Sequence, residues 1–186
     1  MPADAYSPTQ KALHWLLFAL VLGLYALTYA EALFVRGDPN RAVVWWLHIS
    51  FGLLPAVLVV WRLLLRLGRG APPLPTSMTS VERSLAKVGH FALYALLIAI
   101  PGLGILLTWL RGDALRFFGL FTIPAPFQAN RDTARTIQEL HSLCANGILI
   151  LAGSHALAAL WHHFIRKDDV LERMLPQSQQ RGAVNG

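Results

Sequence analysis

Leu140-His-Ser-Leu-Cys-Ala-Asn-Gly-Ile-Leu-Ile-Leu-Ala-Gly-Ser-His-Ala-Leu-Ala-Ala-Leu-Trp-His-His-Phe-Ile165 runs without a single Asp, Glu, Lys or Arg. At ~1.5 Å per residue, a helix of this length crosses a hydrocarbon core of about 30 Å. Three more uncharged runs precede it, Ala12 to Ala30, Ala42 to Trp61 and Val88 to Leu110, each separated from the next by a polar or proline-rich connection. With their flanking turns they predict spans over about 8–30, 42–66, 82–110 and 136–165. The predicted fold class is all-α: an integral membrane four-helix bundle forming one domain over residues 1–176. The polar remainder, 177–186 (QSQQRGAVNG), reads as a disordered tail.

Composition supports this class. The 186 residues are 55% hydrophobic and only 14% charged, against about 25% charged in ordinary soluble domains. A soluble domain and a disordered chain are both excluded. The first apolar run is too long for the core of a cleaved signal peptide and carries His14 and aromatic residues near its start. With one cysteine, Cys144, neither an intrachain disulfide nor a cysteine-based zinc cluster can form.

An even number of spans places both termini on one side. Lys and Arg mark the cytoplasmic side of short loops. Lys11, Arg62, Arg66, Arg69, Arg83, Lys87, Arg166, Lys167, Arg173 and Arg181 fall on the terminal side, whereas the other side holds Arg36, Arg41, Arg111, Arg116, Arg131 and Arg135. Both termini are therefore predicted to be cytoplasmic. The pI of about 10.1 follows from this orientation signal, and no basic soluble domain is left to bind nucleic acid.

Local signals refine the limits. Ser7-Pro8-Thr9-Gln10 reads as a capping box with proline at the first helical position, so the first helix begins near Pro8. Gly68 to Pro75 separates the second helix from the third, Pro101 with Gly102 and Gly104 predicts a kink, and Trp45, Trp46, Trp61, Trp109 and Trp161 fall near interfaces. The connection from Arg111 to Arg135 is too long for a plain turn and is expected to hold a short interfacial helix or lid.

Seven histidines in so apolar a chain are the chemical anomaly, because ionisable groups in spans are costly and usually functional. His141 and His155 lie fourteen residues apart, nearly four turns, so they leave similar faces about 21 Å apart along the axis. Each needs its own partner. His48, seven residues inside Arg41, matches His141, six inside Arg135, at roughly 10 Å from the outer boundary. On the inner side His155 and His14 match more loosely, at roughly 16 and 9 Å. His90, three residues beyond Lys87, is an alternative partner for His155.

Two imidazoles from facing helices can clamp a porphyrin, leaving its iron with no open position, an arrangement suited to electron transfer. No C-x-x-C-H sequence is present, so two such haems would be non-covalent, of b type. Gly52, Gly147 and Gly153 would leave room for a flat macrocycle or for close helix packing. Zinc is the weaker candidate, as only Cys144 lies near His141. His162 and His163 are most simply snorkelling interfacial groups, although His162 falls on the face of His155 and could border a quinone.

The set Tyr6-Ser-x-x-Gln-x-x-x-His14-Trp15, His48, Arg62-Leu-Leu-Leu-Arg66, Gly89-His90, His141, His155, His162-His163 and Lys167-Asp168 resembles the bacterial cytochrome b561 proteins over nearly the whole chain. That resemblance implies a di-haem inner-membrane protein with axial pairs His14/His155 and His48/His141, leaving His90 and His162 as quinone-site candidates. It further implies oxidation of periplasmic superoxide and reduction of ubiquinone, and without an extra helix or large soluble docking segment no obligate protein partner is expected. The competing expectation is an electron-conduit subunit of a membrane dehydrogenase such as hydrogenase or formate dehydrogenase.

Overall fold

The computed structural model describes residues 6–175; the proposed tail, 177–186, lies outside them. Four long helices dominate: α1 (Pro8–Ala30), α2 (Pro39–Arg69), α3 (Ser80–Leu110) and α4 (Arg131–Trp161). All four are long and apolar enough to span a membrane. Their ends follow from capping chemistry. Ser7 and Gln10 form a reciprocal capping box at α1, and Thr79 and Glu82 form a second at α3. Asp38 caps α2 through the Asn40 amide, and Asn130 caps α4 through that of Thr133.

Neighbouring helices pack in the order α1 on α2, α2 on α3 and α3 on α4. The outward faces are apolar: Ile150 is 73% exposed and Leu157 68%, while Val59 inside is fully covered. Apolar side chains so exposed along a bundle need lipid around them. Both in-helix prolines, Pro55 of α2 and Pro101 of α3, line the same internal cavity. Proline frees a carbonyl and blocks tight packing one turn back, which suits a bundle that must stay open at that depth.

Two elements differ from expectation. The connection after α3, expected to hold a short interfacial helix or lid, holds no helix among the described residues but a two-stranded antiparallel hairpin, β1 (Leu115–Phe117) and β2 (Phe121–Ile123). Its turn at Phe118 and Gly119 has φ of 48° and 74°, the pattern of a type I′ turn. Ser50 of α2 fixes it, donating to the Arg116 carbonyl and accepting from the Phe118 amide. The far end of α4 widens into a π-helical turn, His162–Arg166, and stops at Lys167 in the left-handed conformation. The chain then folds back beneath α1, where Lys11 and Trp15 donate to the carbonyls of Leu175 and Met174.

Candidate functional site

The bundle brings together two pairs of imidazoles at different heights. Towards the hairpin, His48 of α2 faces His141 of α4 with ring centres 6.5 Å apart. Towards the termini, His14 of α1 faces His155 of α4 at 6.2 Å. An imidazole nitrogen binds a first-row metal at about 2 Å and lies roughly 1 Å from its own ring centre, so two rings sharing one ion stand about 6 Å apart. Both pairs have that spacing. His90 of α3 also reaches His155, but at 5.1 Å, too close for an ion between the two rings.

Hydrogen bonding sets the tautomers. A backbone carbonyl can only accept, so a ring nitrogen bonded to one must carry the proton. His48 Nδ1 donates to the Leu24 carbonyl (3.2 Å) and His141 Nδ1 to that of Ile100 (3.1 Å). Each keeps a lone pair on Nε2 and is oriented by a neighbouring helix, the outer-shell arrangement of a metal-binding histidine. His90 Nδ1 donates to Ala86 of its own helix at 2.6 Å.

A cavity of about 320 Å³ adjoins the upper pair, lined by residues of all four helices and by Leu115 of the hairpin. Gly52 and Gly104 lie on its wall. A Cβ at Gly104 would approach His141 Cε1 to 3.3 Å, so the His141 ring takes up the room that glycine leaves. Around Gly147 and Gly153 an added Cβ would meet nothing within 4 Å. Those two glycines do not mark close helix packing.

Among the described residues, no three His, Cys, Asp or Glu converge as an all-protein metal site requires. Each pair supplies two ligands only. An ion held there needs its remaining ligands from a cofactor, and a porphyrin, with four equatorial nitrogens, fits the donor set and the spacing at both heights. The largely apolar cavity fits it at the upper one.

Comparison with known proteins agrees. A family model described as prokaryotic cytochrome b561 matches residues 5–177. The chain belongs to this family. It is 37% identical to the probable superoxide oxidase CybB of Yersinia pestis, covering 94% of this chain and 97% of that protein. It is also 36% identical to cytochrome b561 homolog 2 of Escherichia coli (strain K12) over 94% and 93% of the two chains, and 30% identical to homolog 1 of the same organism over 94% and 98%. Membership makes it a multi-pass protein of the bacterial inner membrane that carries b-type haem and transfers electrons.

The remaining sequence candidates are placed as follows. His162 does not snorkel: it is 8% exposed, and its Nδ1 donates to Asp168 at 2.6 Å. The returning C-terminal segment covers it. His163 stays partly exposed, 3.9 Å from Glu172. Sequence reasoning missed the bond from the Tyr25 hydroxyl to Asn146 Oδ1 at 2.7 Å, which ties α1 to α4 beside the cavity. Nothing in the local spacing of two residues so far apart signals that bond.

Proposed function

We propose that this cytochrome b561 holds two haem b groups, one between His48 and His141 and one between His14 and His155, and carries electrons from periplasmic superoxide to ubiquinone. The two imidazole pairs at ion-sharing distance, stacked along α4, are the observation that supports it. A bis-imidazole haem supplies a one-electron redox centre with no open coordination position. Two superoxide anions yield two molecules of oxygen and two electrons, and the quinone takes those electrons with two protons to become the quinol.

The protein's part is orientation and exclusion. The carbonyls of Leu24 and Ile100 hold the upper rings with Nε2 facing inward, and the hairpin covers that end. Arg111 lines the cavity and donates to Gln138 at 2.9 Å, whereas Arg41 is already paired with Glu31. Arg111 is thus the arginine placed to attract an anionic donor. At the other end His90 is the candidate for contact with a quinone, and the covered His162, held by Asp168, could reach one only if the returning C-terminal segment moved aside. The basic bias of the termini puts that end in the cytoplasm.

The test uses the purified polypeptide alone, supplied with enzymatically generated superoxide and a short-chain ubiquinone. Quinol formation that superoxide dismutase abolishes is expected. Haem-loaded protein that forms no quinol without another subunit would support the conduit role instead.

A further inference from the structure

Among the described residues, Arg62 is a buried cation without a countercharge. It lies on α2, 8% exposed, and its guanidinium donates to the Gln10 carbonyl of α1. Gln10 precedes His14 by one helical turn. The register of α2 against α4 gives the same height independently. His48 and His141 face each other, and fourteen residues further along the two helices stand Arg62 and His155. About 21 Å below the upper pair, α4 thus presents an imidazole while α2 presents a guanidinium.

No described carboxylate answers that charge. Towards the termini, Glu82 is engaged by Arg166, Asp168 by His162 and Asp169 by Arg173, while Glu172 lies beside His163. Around Arg62, the recess is lined by Tyr6, Gln10, Arg66 and Tyr94, a second cation and two hydroxyls with no acid. A charge held inside a membrane bundle is strongly unfavourable unless paired. Arginine's planar fork suits a carboxylate in two-point contact.

We propose that Arg62 is the charge partner of a carboxylate on the group held by His14 and His155, namely a propionate of the lower haem. The proposal rests on the two-haem function given above. Arg62 acts as a positioning residue: it fixes which edge of the cofactor points to the terminal side. Its positive charge also favours the reduced state of that centre, so losing it lowers the midpoint potential.

The experiment uses haem-loaded protein in phosphatidylcholine nanodiscs, with His48→Ala present so that only the lower centre remains. Its potential is compared with those after adding Arg62→Gln or Arg62→Lys. The expected result for Arg62→Gln is loss of the haem, or a tenfold or larger shift of the reduction equilibrium towards the oxidised form, which is 59 mV for one electron. Arg62→Lys is expected to keep the haem and stay within about threefold of its parent. If Gln leaves the potential in place, or Gln and Lys behave alike, Arg62 only fills space and the inference is overturned while two-haem binding stands. An Arg62 dependence seen only in phosphatidylglycerol discs assigns the anion to a lipid phosphate and also overturns it. A colourless His48→Ala parent contradicts the two-haem function itself.

Discussion

At the scale of single residues, the geometry separates histidines that sequence spacing leaves equivalent. Both His14 and His90 approach His155, but only His14 stands at the distance of two rings sharing an ion. If the proposed two-haem arrangement holds, replacing His90 with Ala should leave both haems bound, as read by the absorption spectrum and haem content. If His90→Ala removes a haem and His14→Ala does not, the lower pair is misassigned. Gly104→Ala forces a methyl to 3.3 Å from the His141 ring, so that ring must shift by a few tenths of an ångström. The low-spin electron paramagnetic resonance signal of the haem proposed between His48 and His141 should change and that of the one proposed between His14 and His155 should not. Gly23→Ala, with nothing within 4 Å of the added carbon, should alter neither signal. The histidines were legible in sequence because charge-poor spans make any imidazole conspicuous. Gly104 was not legible as a ring contact, since its neighbour His141 comes from another helix.

At the scale of elements, the helices were legible almost to their caps because Ser7 with Gln10 and Pro8 carries a local signature. Helices α2 and α4 extend beyond the expected spans, starting at Pro39 and Arg131. Counting apolar residues finds the lipid-facing part of a helix and misses the turns that project past it. The hairpin was missed for a different reason. Phe117-Phe118-Gly119-Leu120 lacks the Asn-Gly or Asp-Gly pair that usually marks a type I′ turn. Phe118 takes the left-handed conformation at a cost of about 1–2 kcal/mol, offset by the Ser50 bond and by ring contact with Phe51 at 4.9 Å. Ser50→Ala removes both hydrogen bonds from Ser50 to the hairpin, each contributing about 0.5–1.5 kcal/mol. The expected outcome is faster hydrogen exchange at the Phe118 amide and a lower Tm. Unchanged exchange there would show that aromatic packing alone holds the hairpin.

At the scale of the whole molecule, the pattern of four spans fixed the class of fold, and the imbalance of basic residues predicts its direction in the membrane. Single cysteines placed at Thr122 of the hairpin and at Ser80 of α3, in a Cys144→Ser background, test that direction. In intact cells stripped of their outer membrane, an impermeant thiol reagent should label position 122 and reach position 80 only after lysis. The reverse pattern would put the proposed superoxide side in the cytoplasm. Membership of the cytochrome b561 family establishes haem-based electron transfer, and the imidazole pairs support two centres stacked across the bilayer. Haem per polypeptide, quantified together with reduced-minus-oxidised spectra, tests this most directly. Two haems are expected in the fully loaded protein, one in His48→Ala or His141→Ala, and one in His155→Ala with the complementary spectrum. Fewer than two in the unaltered chain, or both retained when His141 and His155 are replaced together, would contradict it.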